Sequence, residues 1–149
     1  MRGAFGRVET VEVAGVGVSI LLIKNPAGAN EVLRTLTLED GRVDLWLALN
    51  DRIADGRDVS WVWDADFELL AGAVRRVVCA GTRAPEMALR LKYAGWPEEA
   101  IAVEPGIGRS LDRAVAEAPG RLFALPTYTA LMELHGVLSS RGLTREFWR

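Results

Sequence analysis

Residues 49–68 hold the densest chemistry in the chain. They read Leu-Asn-Asp-Arg-Ile-Ala-Asp-Gly-Arg-Asp-Val-Ser-Trp-Val-Trp-Asp-Ala-Asp-Phe-Glu, six acids, two arginines and two tryptophans in twenty residues. A strand-to-helix connection needs only about 2–6 residues, and longer ordered loops tend to carry function. Leu45 to Leu49 is an apolar run ending at Asn50-Asp51, as a buried parallel strand would end. Asp55-Gly56 signals a turn, and Asp58 or Ser60 suits the cap of a helix entering at Trp61 and running through Phe67, Leu70 and Val74. Asp64, Asp66 and Glu68 then fall near a helix start, where acids suit the dipole. That reading explains Asp55 and Asp58 less well.

A second cluster is Lys24-Asn25-Pro26-Ala27-Gly28, which follows an apolar run and opens a helix. Pro26 and Gly28 shape a turn, and Lys24 can meet a phosphate or carboxylate. Other candidates are weaker. Gly106-Ile107-Gly108 has two of the three glycines of a dinucleotide turn and no suitably placed acid. The chain has no Gly-x-x-x-x-Gly-Lys-Ser/Thr loop for ATP phosphates. His135, beside Leu134, has no Ser or Cys in a recognisable nucleophile arrangement. Cys79 lies in the apolar run Val77-Val78-Cys79-Ala80 and reads as a buried thiol. One Cys and one His cannot make a zinc site, so no metal is expected.

The elements that must position these residues follow the apolar pattern. Strands are expected over residues 18–23, 44–50, 76–80, 101–103 and 121–125, with a hairpin or edge strand before them at residues 8–18. Helices are expected over residues 29–38 (Val32, Leu33, Leu36 inward), from Pro85 to Ala94, over residues 110–118, and around Leu131, Leu134 and Leu138. Alternating strands and helices predict an α/β, Rossmann-like, mostly parallel sheet with helices on both faces. Residues 1–7 read as a lead-in and residues 8–149 as a single domain. The loops after the strands then share one rim, placing the acidic loop beside Lys24, Asn25, Arg83 and Tyr128.

At 149 residues and net charge −2 the chain can bury a real core, and it lacks the basic patch of a nucleic-acid binder. No apolar run reaches the roughly 20 residues of a membrane span. A cytoplasmic domain is expected.

Taken together, the motifs resemble the C-terminal domain of MurT, the Mur-ligase-like subunit of lipid II isoglutaminyl synthase. Matching residues are Gly6-Arg7, Lys24 to Gly28, Leu49-Asn50-Asp51, Ala54 to Asp58, Ser60-Trp61, Asp64 to Glu68, Gly81-Thr82-Arg83 and Pro126 to Thr129. The resemblance implies part of an ATP- and glutamine-dependent amide ligase that amidates the stem-peptide D-glutamate of lipid II in peptidoglycan synthesis. It also implies ATP and Mg on a central Mur ligase domain lying ahead of this one, and no cofactor in this chain. The implied partner is a GatD-like glutaminase whose Cys-His pair receives its third member from Asp58, with Asp55 and Asp64 as fallbacks. Trp61 and Trp63 are the expected docking anchors.

One departure concerns the Asp-x-x-His-x-Pro turn of related Mur ligases, which here reads Leu21-Leu22-Ile23-Lys24-Asn25-Pro26. Ordinary Mur substrate contacts therefore do not carry over. The isolated chain is not expected to amidate anything. The competing expectation is a stand-alone module whose rim takes a nucleotide or sugar phosphate through Lys24, Arg83 and the Gly106 turn, without catalysis.

Overall fold

The computed structural model describes residues 8–143 and 145–147, so the lead-in at residues 1–7 lies outside the described residues. Among the described residues seven strands form one sheet: β1 (Glu9–Val13), β2 (Val16–Ile20), β3 (Val43–Ala48), β4 (Val74–Ala80), β5 (Ile101–Val103), β6 (Arg121–Pro126) and β7 (Arg145–Phe147). Their order across the sheet is β5-β4-β3-β6-β2-β1-β7. The five strands from β5 to β2 are parallel, and β1 pairs antiparallel with both β2 and β7. The β1–β2 hairpin closes through Ala14 and Gly15, both at positive φ, as a tight two-residue turn requires.

Both faces are covered, which is why β3 and β6 read as continuous apolar runs rather than alternating ones. On one face, α1 (Pro26–Leu36), α2 (Ala84–Tyr93) and the β3–β4 connection pack on Leu45, Leu47, Val77, Cys79, Phe123 and Leu125. On the other, α3 (Ile107–Glu117) and α4 (Tyr128–Ser140) pack on Trp46, Ala48, Val78, Ala80, Leu122 and Ala124. The alternation along each strand separates the two cores. Cys79 is fully buried, and loss of solvation pushes its thiol up to about 12, so it stays protonated.

Helix α1 starts at Pro26, ahead of the expected start at residue 29, and α2 starts at Ala84, just ahead of the expected Pro85. Pro26 and Pro85 occupy first-turn positions, where the missing N–H costs nothing. Asn25 caps α1 by accepting a hydrogen bond from the Gly28 amide at 2.8 Å. The strand expected over residues 18–23 ends at Ile20. Beyond it the Leu21 and Ile23 amides still donate to the Ala124 and Pro126 carbonyls, so the extended path continues.

The helix expected from Trp61 through Val74 does not form. Two 3₁₀ turns (Ser60–Asp64 and Phe67–Leu70) replace it, following a third at Ile53–Asp55, and Val74 opens β4. Its inward residues are Val62, Ala65, Phe67 and Leu70, a spacing of three, two and three that no α-helical stripe matches. No helix among the described residues is long and apolar enough to cross a membrane.

Candidate functional site

The loops at the carboxyl ends of β2, β3 and β6 surround a cleft of about 550 Å³. β3 and β2 send their connections to one face of the sheet, and β6 sends α4 to the other. The strand order reverses there, and ligands of open α/β sheets favour such a crevice. Lys24 and Asn25 come from the first loop, Ile53, Ala54, Asp55, Gly56 and Trp61 from the second, and Thr127 and Tyr128 from the start of α4. Lys24 is exposed and makes no ion pair among the described residues.

Beneath the cleft, Asn50 ties the strand ends together. It is 1% exposed. Its backbone N–H donates to Thr127 Oγ1 at 3.0 Å, and its side-chain amide donates to Thr129 Oγ1 at 2.9 Å and Glu133 Oε1 at 3.0 Å. Its Oδ1 accepts the Thr82 amide at 2.9 Å. Every polar atom of a buried amide needs such partners, and here they come from α4 with its N-cap and from the loop after β4. The close approach also requires Gly81 at φ +94°, since a Cβ there would sit 2.4 Å from the Leu49 carbonyl oxygen.

The acidic loop is fastened by Asp55. Its carboxylate accepts from the Arg52 amide at 3.1 Å, from the Thr129 amide at 2.9 Å and from the Thr129 hydroxyl. Gly56 and Arg57 then turn the chain at φ 94° and 61°, bringing out Asp58. Asp58 is exposed, and its Oδ1 accepts the Ser60 amide at 2.9 Å. That amide, with the Ser60 side chain, holds the Asp58 carboxyl below its ordinary range, so it is a carboxylate at neutral pH.

The remaining sequence candidates are distributed differently. Arg83 is not among the cleft residues. Its guanidinium pairs with Asp51 at 3.0 Å and Glu86 at 2.9 Å, and these acids raise its already high pKa. Trp61 lines the cleft, whereas Trp63, 44% exposed, lies edge-on to Tyr93 with the Arg90 guanidinium 5.3 Å from its ring centroid. Asp64 closes its 3₁₀ turn, exposed. His135 Nε2 meets Glu9 Oε1 at 2.8 Å, far from any nucleophile geometry. The Gly106 turn opens α3 and is absent from the cleft lining. Among the described residues no group of three His, Cys, Asp or Glu could hold a metal ion.

The MurT ligase C-terminal family matches residues 22–131, a span that contains the cleft, the acidic loop and the first turn of α4. The chain belongs to that family.

Among MurT relatives, the lipid II isoglutaminyl synthase (glutamine-hydrolyzing) subunit MurT of Streptococcus pneumoniae (strain ATCC BAA-255 / R6) is 34% identical over 146 residues. That match covers 97% of this chain and 33% of the relative. The subunit of the same name from Staphylococcus aureus (strain COL) is 39% identical over 127 residues, covering 85% of this chain and 29% of the relative. The MurT domain described here thus spans about a third of the length of these relatives. Folylpolyglutamate synthase of Mycobacterium tuberculosis, solved with ADP and AMPPCP, aligns with a TM-score of 0.45 at 18% identity, over 79% of this chain and 28% of that one.

Sequence reading of this MurT domain placed Thr129 on the rim without its tie to Asp55, and missed Glu133 and Arg90. Thr129 and Glu133 lie one helical turn apart on α4, and nothing local marks them as partners of a loop some 75 residues earlier. Arg90, 4% exposed, was visible only as one more charge on a helix.

Proposed function

We propose that this domain is the C-terminal part of a MurT-type subunit of a glutamine-hydrolysing lipid II isoglutaminyl synthase. In that role it docks a GatD-like Cys-His glutaminase and lends that site a carboxylate from Asp58. The observation that carries this is the state of Asp58. Of the acids Asp55, Asp58 and Asp64, Asp55 is consumed by Arg52 and Thr129. Asp58 stands at the turn of the same fastened loop, ionised, with one oxygen held by Ser60 and the rest of the carboxylate facing outward.

The chemistry asked of it is modest. A thiolate nucleophile works with a histidine held in one tautomer and orientation, and a carboxylate on the far ring nitrogen does both while stabilising the imidazolium. A group preset by Ser60 gives that geometry without reorganising at docking. Lipid II as substrate, and ATP with Mg on a central ligase domain, belong to the same proposal. This chain supplies the docking surface and the carboxylate, and by itself forms no amide.

The test is glutamine hydrolysis by the glutaminase subunit mixed with this domain, wild type or Asp58→Asn. The expected result is equal binding, with kcat for the D58N pair lower by at least about 100-fold, as loss of a histidine-orienting carboxylate gives. Equal activation by both proteins would sink the role of Asp58.

The cleft supports a second reading, a site for an anionic ligand between Lys24, Asn25, Trp61 and Tyr128. Thermal stabilisation of the domain by a nucleotide or sugar phosphate, lost in Lys24→Ala, tests it.

A further inference from the structure

The N-terminus of α4 presents an unusual arrangement. Its N-cap residue is Thr127, a good capping type, yet Thr127 makes no side-chain cap bond. Its hydroxyl is turned to β3, donating to the Ala48 carbonyl at 3.3 Å and accepting the Asn50 amide at 3.0 Å. The first-turn amides of a helix are orphan donors and need an acceptor from somewhere. Asp55 supplies it from a different loop, taking both the amide and the hydroxyl of Thr129. The helix end is thus capped across space by the segment that carries Asp58.

The same carboxylate closes its own turn by accepting the Arg52 amide, and Arg52 reaches Glu133 of α4 at 3.3 Å. Glu133 and Thr129 in turn hold Asn50. From Asp55 the path to Asp58 has little freedom. Gly56 and Arg57 are both left-handed, and the Asp58 amide donates back to the Gly56 carbonyl at 2.6 Å. A carboxylate reaching toward another protein's imidazole is only as well placed as the loop beneath it.

Resting on the Asp58 reading above, we infer that Asp55, through Thr129, is the positioning residue for Asp58: it fastens the acidic loop to α4 and so fixes where the Asp58 carboxylate meets the partner histidine. A displacement of about 1 Å at a reacting pair can cost on the order of 100-fold in rate. Loss of the fastening therefore lowers turnover and leaves docking area nearly intact.

The experiment titrates the glutaminase subunit with wild-type domain and with Asp55→Ala, Thr129→Ala, Thr129→Ser and Asp58→Asn, after a circular-dichroism melt of each. The expected result is a kcat about 10- to 100-fold lower for D55A and T129A. The domain concentration giving half-maximal activation should move less than about 3-fold, and T129S should return kcat to the wild-type value because it keeps the hydroxyl.

Wild-type kcat in D55A or T129A overturns the inference while an inactive D58N leaves the Asp58 reading standing. A wild-type kcat in D58N removes that reading itself. A larger loss in D55A than in D58N also overturns the inference, since a residue acting through Asp58 cannot cost more than Asp58. So does an effect confined to the half-maximal concentration, which would make Asp55 a docking residue. If D55A does not fold, the T129A and T129S pair decides alone.

Discussion

The crossover from β3 to β4 and the crossover from β4 to β5 pack on the same face of the sheet with different backbones. The second is a regular helix, α2, begun at Ala84 with Pro85 in its first turn and satisfied by its own hydrogen bonds. The first is a string of 3₁₀ turns whose carbonyls have few partners of their own. Side chains of neighbouring elements make up the deficit. Arg90 of α2 donates from Nε to the Val62 carbonyl at 2.8 Å and from its terminal nitrogen to the Ala65 carbonyl at 2.7 Å. The Trp96 indole donates to the Phe67 carbonyl at 2.8 Å, and Asn30 of α1 accepts the Asp66 amide at 2.7 Å. A crossover does not need a helix if others satisfy its backbone. What it gains is a shape that lets the Asp58 turn protrude, and what it loses is independence.

That difference is most easily broken at Arg90. Arg90→Ala removes both backbone bonds and the pair with Glu68, and opens a void beside Trp63 and Phe67. It should cost about 3–5 kcal/mol, read from the urea midpoint. A loss under about 1 kcal/mol would show that the turns hold themselves.

Trp96→Phe isolates one of these ties. Trp96 is buried edge-on against Phe67, with ring centroids 6.4 Å apart. Losing its donor strands the Phe67 carbonyl, an expected cost of about 1–3 kcal/mol by the same measurement. A neutral substitution would mean that the carbonyl has another partner.

The smallest effect sits at Glu68. The Arg90 hydrogen bond holds its carboxyl below the ordinary glutamate range. The folded value is depressed, so the contribution is complete above the unfolded value and disappears as pH falls through the folded one. At 57% exposure the pair is worth less than about 1 kcal/mol. From about pH 5 to pH 3 the wild-type melting temperature should therefore fall slightly faster than that of Glu68→Gln. Parallel curves would remove Glu68 from the account.

The sequence was legible wherever one element determined its own outcome. The runs at Leu45 and Val77, Pro85 in the first turn of α2, and the shared rim that brings Lys24, Asn25 and Tyr128 together could all be read from spacing and side-chain type. It was illegible where a distant partner decided. Asp64, Asp66 and Glu68 read as helix-start dipole partners, but Arg90 and Asn30 make the turns tenable, and neither is near in sequence. Arg83 was expected on the rim beside the acidic loop; it pairs there with Asp51, and with Glu86 of its own helix, outside the cleft lining. Strand β7 pairs with β1 across most of the chain length, so no local pattern announces it.

Strand β6 bears on how the chain assembles during synthesis. It lies between β3 and β2, yet it follows both, and β4 and β5 as well, in the sequence. Until Arg121 to Pro126 emerges from the ribosome, β1–β2 and β3–β4–β5 are separate half-sheets. Each has a raw inner edge, including Leu45 to Leu47 on one side and Val18 to Ile20 on the other. Neither half is finished, and both offer unpaired backbone to any strand that passes. The last parallel strand to be made is the keystone: Phe123 and Leu125 belong to one core and Leu122 and Ala124 to the other, so neither core is complete without it.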